Sequence, residues 1–438
     1  MSDMDLLKTK VIGIPEFSTR IKLQNELHAS ACELLSAPTL VSHLALLSNI
    51  GNAEEEMRLV TQLCHHFSVS PPAVDARYFS ADFGLFRLRW ERHNEYCAYT
   101  FFLSAASGTP FGETAIQHIS KEWLESLPGE IVSATHIVVE KREGPQYKIS
   151  EVAALFLSNN IIGANVAGDR AVVWTDNKIH SDGFGRILIN VTSLSQQQTG
   201  RLVKRLLDIE TYRMLAMIPV PLARSYIPEL ARLDERLAEL TAHNTEMISL
   251  EDEQNLLNSL TRLAAEIESI SAKTNQRFSA TSAYYNIVKL RISELREQRI
   301  QGLQMFHEFM EQRLTSAMDT CSSVHHNLET LSTRVARASA LLRTRVDITM
   351  EGQTRDLLQS MDKRAHLQFR LQETVEGLSV VVLSYYLIGI VGYALKALEE
   401  SGLGINVDIA TGISIPFVFG LVFFGVRRVR NSMENHSN

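Results

Sequence analysis

The sequence has few cysteines, and they follow no pattern typical of a metal site. Cysteine occurs four times, at Cys32, Cys64, Cys97 and Cys321, and no two of these residues form a CxxC pair. Such spacing predicts neither a zinc site nor a disulfide framework. Isolated thiols are typical of a reducing compartment, so we expect most of the chain to lie in the cytosol.

An excess of basic residues is also missing. The chain has 43 Lys and Arg against 50 Asp and Glu, a formal net charge of −7, which argues against binding to nucleic acid. The patterns HExxH, GxGxxG, GxxxxGK(S/T) and GxSxG do not occur in the sequence. They are typical of zinc peptidases, nucleotide-binding loops and hydrolases. We therefore predict a protein that is not an enzyme, with no catalytic residue, no cofactor and no metal.

The middle of the chain lacks proline and has little glycine. No proline lies between Pro228 and Pro416, and Gly302 and Gly352 are the only glycines between Pro228 and Gly377. Such a composition predicts long helices. We expect a hairpin of helices at about 229–247 and 250–275, a helix at about 280–345, and a last helix from about 350 that continues directly into the apolar segment at 378–398.

Apolar residues in this region repeat at alternating intervals of four and three. One series is Leu256, Leu260, Leu263, Ile267 and Ile270, and the other is Leu314, Ala317, Cys321, Val324, Leu328, Leu331, Val335, Ala338 and Leu342. This heptad spacing is typical of coiled coils. It is compatible with a homo-oligomer and with helices that pack together within one chain.

Two apolar segments near the C-terminus predict a membrane anchor. Residues 378–398 contain a single charge, Lys396, and residues 409–426 contain none. A helix of about 20 apolar residues spans the hydrocarbon core of a bilayer, and the ammonium group of Lys396 can extend to the lipid headgroups as a topology anchor. Pro416 in the second segment is tolerated in membrane helices. The alternative is a pair of helices buried in a soluble core.

Flanking charges predict how this hairpin is oriented. Arg427, Arg428 and Arg430 follow the second segment, whereas the loop at 399–408 is acidic. Basic flanks remain on the cytosolic side of the membrane, so these arginines are further topology anchors. Residues 1–10 have no apolar stretch of the signal-peptide type. We therefore expect a multi-pass protein of the bacterial inner membrane, with its bulk and both termini in the cytoplasm.

The N-terminal region alternates between strand-like and helix-like patterns. Strands are predicted at 40–47, 83–90, 96–104, 131–139, 161–166, 170–180 and 187–191, and helices at 19–35, 54–67, 112–126 and 196–217. Helices mixed with adjacent strands predict an α+β domain with a largely antiparallel sheet. The prolines at 219–228 predict a linker.

The predicted fold class is thus an α+β N-terminal domain, then long coiled-coil-like helices, then a C-terminal two-helix transmembrane hairpin. The predicted boundaries are a cytosolic domain at 1–195, a helix and linker at 196–228, a helical hairpin and stalk at 229–377, transmembrane helices at 378–398 and 409–426 joined by an external loop at 399–408, and a basic cytosolic tail at 427–438.

One polar cluster in the N-terminal domain is a candidate binding face. Arg89, Glu91 and His93 alternate along a predicted strand and would share one face of it. They predict either a site for an anion or nucleotide or a solvated sheet face with cross-strand ion pairs. A metal site would require His28 to lie close to His93 in space. Residues 183–186, Gly-Phe-Gly-Arg, predict either a turn or a phosphate cradle.

Four segments carry a resemblance to a known family. They are Leu23-Gln-Asn-Glu-Leu-His-Ala29, Arg89-Trp-Glu-Arg-His93, Gly168-Asp-Arg-Ala-Val-Val-Trp174 and Thr374-Val-Glu-Gly-Leu-Ser-Val-Val381. They resemble an uncharacterised family of bacterial membrane-anchored proteins that is known only as a domain of unknown function. The resemblance covers nearly the whole chain and implies an anchor but no activity. The family tends to have Arg-Pro after His-Ala, where this chain has Ser30-Ala31.

The layout of residues 279–430 resembles that of CorA-type magnesium channels. The resemblance implies a homo-oligomer, a pentamer in that family, whose first membrane helix lines a pore with Ser384, Tyr385 and Gly389 as pore-facing positions. The chain departs from the family because it has no Gly-Met-Asn motif. Our leading hypothesis is a membrane-anchored homo-oligomer whose cytosolic domain binds an unidentified small molecule or protein, with a structural or regulatory role. The alternative is a CorA-like conduit for divalent cations or other ions.

Overall fold

The computed structural model describes residues 10–11, 14–15, 17, 20, 24, 32–48, 50–104, 108–141, 147–243, 249–400 and 406–434. The chain divides into two compact units. One consists of Met1–Thr245 and Asn258–Ala338, and the other of Glu246–Leu257 and Ser339–Asn438. The helix predicted at 19–35 lies largely outside the described residues.

A nine-stranded sheet forms the centre of the first unit. Its strands are β3 (Thr39–Leu47), β4 (Tyr78–Asp82), β5 (Arg87–Arg92), β6 (Tyr96–Ser104), β7 (Glu130–Glu140), β8 (Ile162–Val166), β9 (Ala171–Thr175), β10 (Gly185–Val191) and β11 (Gln298–Arg299), while β1 (Lys10–Val11) and β2 (Ile14–Pro15) pair separately. The order is β11-β8-β9-β10-β7-β3-β6-β5-β4. Among the described strands, β7 and β10 run parallel and the other neighbours run antiparallel. The predicted, largely antiparallel sheet is confirmed.

The two faces of this sheet differ in chemistry because β-strand side chains alternate between faces. Trp90, Tyr99 and Leu44 are paired across β5, β6 and β3. They belong to an apolar core that also contains Leu59 and Trp123, from helices α1 (Ala53–His66) and α2 (Lys121–Glu125). On the opposite face of the sheet, polar side chains occupy the neighbouring positions of the same three strands. The apolar side also contains buried polar groups, since the hydroxyl of Ser42 lies 2.9 Å from Nδ1 of His136.

Three further helices of the first unit follow the sheet strands. They are α3 (Ile149–Leu155), α4 (Gln196–Met217) and α5 (Val220–His243). Helix α4 has the predicted bounds, and its N-terminus is capped by the side chain of Ser195, which accepts a hydrogen bond from the backbone N–H of Gln198 at 3.3 Å.

The linker predicted at 219–228 is wrong, because α5 begins at Val220 and contains Pro228. Pro221 lies in the first turn of α5, where no backbone donor is required. Buried Leu230, Leu233 and Leu237 hold the helix in place beyond Pro228, so packing outweighs the cost of one proline in its interior.

Helix α6 (Leu250–Leu295) is longer than the sequence indicates. A break is predicted at 275–279, but Thr274 is fully buried there and donates its hydroxyl to the carbonyl of Ile270. The chain turns instead at Arg296, which has a φ of 52°, and at Gly302, which has a φ of 88°. Between them, β11 adds to the sheet. Helix α7 (Phe306–Met310), a π-helix (Glu311–Thr315) and α8 (Ser316–Glu400) follow.

The second unit contains most of α8 together with α9 (Val407–Glu434). The break predicted near residue 350 does not occur, and Gly352 lies inside α8. Both predicted membrane segments are helical. They contact each other through Val380, Val418 and Val422, which are the positions that face inward within this antiparallel pair.

Candidate functional site

The structure brings Arg89, Glu91 and His93 together on one face of the sheet. Arg89 on β5 is opposite Thr100 on β6, and Thr100 is opposite His43 on β3. Glu91 is two residues further along β5 and therefore lies on the same face of the sheet as Arg89. His93 follows the end of β5 and stacks on Tyr96, with ring centroids 4.2 Å apart. The alternation in the sequence therefore predicted the shared face correctly.

Helix α4 covers part of this face: Arg89 is buried, whereas Glu91 and His93 are half-buried. The ammonium of Lys204 on α4 lies 3.6 Å from Oε1 of Glu91, and Nε2 of His43 lies 3.1 Å from the hydroxyl of Thr211. Arg89 is 4% exposed. The face is therefore partly open to solvent at Glu91 and Lys204, which are 18% and 20% exposed. The predicted binding role stays a prediction.

Buried Arg89 and half-buried Glu91 form an ion pair. Nη2 of Arg89 donates to Oε1 of Glu91 at 2.6 Å, and the guanidinium lies 5.4 Å from the ring centroid of Tyr78. Burial raises the pKa of Glu91, but the charges of Arg89 and Lys204 outweigh it, and the net pKa is lowered. Glu91 is thus ionised. Nε of Arg89 has no hydrogen-bond partner among the described residues.

A neutral imidazole lies beside this pair. Nδ1 of His43 is 2.8 Å from the hydroxyl of Thr100, so the two ring nitrogens contact two hydroxyl groups. Burial lowers the pKa of His43 to about 4. Burial also lowers the pKa of His93. Both histidines are therefore uncharged at neutral pH and contribute no charge to the cluster.

The ion pairs extend from the sheet to α6. Nε of Arg291 on α6 donates to Oδ2 of Asp208 on α4 at 2.8 Å. Burial raises the pKa of Asp208, against the effect of Lys204 and Arg291. At one end of the cluster the hydroxyl of Tyr284 donates to Glu95 at 2.8 Å. The cluster thus joins β5, α4 and α6, and it resembles a structural connection more than a ligand site.

Sequence reasoning missed the α4 and α6 members of this cluster. Lys204 and Asp208 are four residues apart on α4 and so lie on one helix face. That spacing is a usable signal. It does not reveal the partner, because Arg291 lies 83 positions away from Asp208.

The two remaining candidate sites have simpler explanations. Residues 183–186 lie at the hairpin between β9 and β10, where Gly183 has a φ of 84° and Nη2 of Arg186 donates to Asp182 at 3.1 Å. This geometry is that of a turn, which is one of the two predicted alternatives for residues 183–186. His28 lies outside the described residues, and within the described ranges no group of three or more His, Cys, Asp or Glu is arranged to hold a metal ion.

Two helices, α8 and α9, contain stretches that are long and apolar enough to cross a membrane, and 11% of each stretch is buried. Ser384 is 3% exposed, whereas Tyr385 is 75% exposed and Gly389 is exposed. The three predicted pore-facing positions therefore do not share one face. The side chains of Lys396, Arg427 and Arg428 are exposed; Arg430 lies in α9.

A family model matches residues 15–433 of this chain, and it is described as "Protein of unknown function (DUF3422)". The chain belongs to DUF3422. The predicted resemblance to an uncharacterised family is thereby confirmed. No curated protein and no solved structure matches the chain. The DUF3422 match spans the sheet, the long helices and both apolar stretches, so these parts belong to one family unit.

Proposed function

We propose that this DUF3422 protein is a membrane-anchored homo-oligomer of the bacterial inner membrane. Its sheet domain binds a small molecule or a protein in the cytoplasm, and its role is structural or regulatory rather than enzymatic. The observation that carries the proposal is an exposed apolar stripe on α8 that continues into the first apolar stretch. We call this stripe, at positions 357, 361, 371, 375, 378, 382, 385 and 389, the α8 stripe.

The α8 stripe has the spacing of a coiled coil but no partner in the described part of the chain. Residues 351–375 are all exposed. Among them Leu357, Met361, Leu371 and Val375 are 63%, 59%, 68% and 55% exposed. Their positions fit alternating steps of three and four, with Arg364 and Gln368 in between. A helix that exposes such a stripe gains stability by packing it against another helix.

The stripe continues without a change of spacing into the apolar stretch. Leu378, Val382 and Tyr385 follow at the same intervals and are 65%, 45% and 75% exposed. Ser384, by contrast, faces the interior of the α8–α9 pair. The α8 stripe and the α9 contact thus occupy different faces, so α8 can contact α9 and another copy at once.

A second copy of the chain is the occupant that fits this stripe. Two spans return the chain to the side from which it came, and the membrane would hold every copy of α8 with the same polarity. Parallel helices with matching apolar positions form coiled coils in register. Arg427, Arg428 and Lys396 would fix the orientation.

The alternative function, a CorA-like ion conduit, has one supporting observation. Tyr385 and Gly389 lie on the α8 stripe, so a ring of parallel α8 helices would place them at its axis. Without the Gly-Met-Asn motif this proposal carries no expectation of magnesium selectivity. Liposomes that contain the protein and a divalent-sensitive dye test it, and an ion flux with full-length protein would favour it over the anchor.

Two measurements on full-length protein test the leading proposal. First, membranes are washed at alkaline pH; we expect the protein to stay in the pellet, and recovery in the supernatant without detergent would contradict the anchor. Second, the mass is measured in detergent or nanodiscs. We expect an oligomer that Leu371→Asn weakens and Phe369→Asn does not, because Phe369 is 70% exposed but lies away from the stripe. A monomeric mass for the unchanged protein would contradict self-association.

A further inference from the structure

Two polar residues interrupt the apolar spacing of the α8 stripe. Between Met361 and Leu371 the alternating steps of three and four fall on Arg364 and Gln368, and both residues are exposed. In a coiled coil of α8 copies, these two side chains would face the neighbouring copies rather than solvent. A polar residue at such a position costs stability, so the layer that contains Arg364 requires a compensating interaction.

No carboxylate of a neighbouring copy lies beside Arg364 in such a coiled coil. Interhelical ion pairs form between the e and g positions of the heptad, which flank the a and d positions. With Arg364 at position d and Gln368 at position a, the flanking positions between 358 and 374 are uncharged. They are Leu358, Ser360, Ala365, Leu367, Gln372 and Thr374. The usual ion pairs of a coiled coil therefore cannot neutralise Arg364.

The helix itself offers Arg364 no acid either. Residues three and four positions apart are neighbours on a helix. Around Arg364 these neighbours are Ser360, Met361, Leu367 and Gln368. Asp362 lies two positions away and thus on another face, where its carboxylate is 3.8 Å from Nε2 of His366. In an oligomer the guanidinium groups of the copies would therefore repel one another across the seam.

The layer of Arg364 lies too far from the proposed bilayer for a lipid to compensate it. Arg364 precedes Leu378, the first residue of the predicted membrane segment, by about 21 Å at about 1.5 Å per helical residue. The headgroup region extends only about 5–8 Å beyond the hydrocarbon core on each side. A compensating anion would therefore come from solution.

Gln368 adds donors next to the guanidinium layer. Four helical residues correspond to about 6 Å, so Arg364 and Gln368 form adjacent layers of the same seam. A guanidinium presents a planar fork of N–H groups that matches the oxygens of an oxyanion. Each amide adds two N–H donors. Repeated once per copy, this set of donors suits an anion with several oxygens and more than one charge.

We propose that the oligomer of α8 helices binds a free inorganic oxyanion, of the phosphate or sulfate type, between its Arg364 and Gln368 layers. The anion accepts N–H groups from the guanidinium groups of several copies and offsets their repulsion. One copy supplies a single guanidinium, so the site is incomplete without its neighbours. The inference rests on the proposed self-association and specifies a ligand that would strengthen it.

The mass of the full-length protein in detergent, followed over a dilution series, tests the proposal. Millimolar phosphate or sulfate is compared with sodium chloride at the same ionic strength, because screening alone weakens repulsion between like charges. The concentration at which the oligomer dissociates should be about tenfold lower in at least one oxyanion, as charge-assisted hydrogen bonds to a bound ligand would produce. Equal dissociation in all three salts would overturn the proposal.

Three variants locate the effect. Arg364→Leu makes the layer apolar, so its oligomer should dissociate equally in all salts and less readily than the unchanged protein in chloride. Arg364→Gln removes the charge but keeps a polar layer, and it should also lose the oxyanion effect. Arg370→Gln, at an exposed position of α8 outside the stripe, should keep it.

These variants also control for a general salt effect. Phosphate and sulfate strengthen the burial of apolar surface in any protein, and that contribution would persist in every variant. An oxyanion effect as large in Arg364→Leu and Arg364→Gln as in the unchanged protein would show that no anion binds at this layer.

The same dilution series separates this inference from the proposed function. If the unchanged protein is an oligomer that dissociates equally in all salts, the anion site fails alone. If it is a monomer at every concentration and in every salt, the self-association fails, and the anion site fails with it.

Discussion

Gly163 on β8 and Trp174 on β9 are direct partners across the sheet, and a Cβ atom on Gly163 would lie 2.5 Å from Cδ1 of the indole. The indole thus occupies the space that a side chain at position 163 would require. This contact explains a glycine within a strand, where it otherwise weakens the sheet.

Replacing Gly163 by alanine should therefore destabilise the sheet domain. We expect Gly163→Ala to lower the free energy of unfolding by about 1–3 kcal/mol, because overpacking a tight contact forces the neighbouring side chains to shift. All three tryptophans, Trp90, Trp123 and Trp174, lie in this domain, so tryptophan fluorescence during urea unfolding reports on it. Gly51→Ala is the control, since a Cβ there meets nothing within 4 Å. Equal stability of both variants would contradict the packing argument.

Neutralising Glu91 should be costly. Glu91→Gln leaves the guanidinium of Arg89 and the ammonium of Lys204 without their shared carboxylate, and because the pair is partly buried the cost should be about 1–3 kcal/mol, between the values for exposed and buried pairs. Urea unfolding measures this loss. Glu55→Gln breaks an exposed pair with Arg58 and should leave stability unchanged. If Glu91→Gln proved as mild as Glu55→Gln, the ion pairs beneath α4 would contribute no more than an exposed pair.

Stability should fall as the pH drops from about 6.5 to about 4. Burial lowers the pKa of His43 to about 4, below its ordinary value of about 6.5. The unfolded chain therefore binds the proton first as pH falls, and the folded state loses stability across this window, by about 3 kcal/mol for one such group. Burial also lowers the pKa of His136 to about 4, so His43→Gln should flatten the pH profile in part. An identical profile for His43→Gln would refute the assignment.

Disulfide cross-linking should distinguish the two faces of α8. Tyr385→Cys places a thiol on the α8 stripe, where it would meet its counterpart in another copy and form a dimer under mild oxidation. Ser384→Cys places it 3% exposed against α9 and should not cross-link. Non-reducing gels of membranes give the answer. Cross-linking of Ser384→Cys alone would mean that the stripe is oriented away from the contact between copies.

Local patterns in the sequence predict much of the fold where the physics is local. Strand-like runs in the sequence predicted β3, β6 and β7, and a helical pattern predicted α4 with its observed bounds. Strands β8 and β9, of five residues each, were predicted, but elements of two to five residues contain few repeats to define a period. β4 and β11 were missed for this reason.

The predictions from the sequence were wrong where contacts between residues far apart in the chain determine the structure. Pro228 reads as the end of a linker, but buried leucines on the following turns keep α5 helical. The polar run at 273–276 was predicted to break the helix, but Lys273, Asn275 and Gln276 are exposed on a continuous helix and buried Thr274 donates its hydroxyl to the carbonyl of Ile270. The predicted face of Arg89, Glu91 and His93 is real, yet its burial depends on Lys204 and Thr211, more than 100 positions later.

The position of β11 has a consequence for how this protein can be divided. Its two residues pair with Asn165 and Ala164 on β8, and the backbone N–H of Gly163 donates to the carbonyl of Gln304. The outer border of β8 is therefore protected by a segment that follows the whole of α6. In a fragment that ends at residue 245, the outer edge of β8 would expose unpaired backbone N–H and C=O groups. Such an exposed strand edge can pair with the strands of other molecules. Isolated sheet fragments of this protein should therefore aggregate, whereas fragments that extend past residue 304 should stay dispersed.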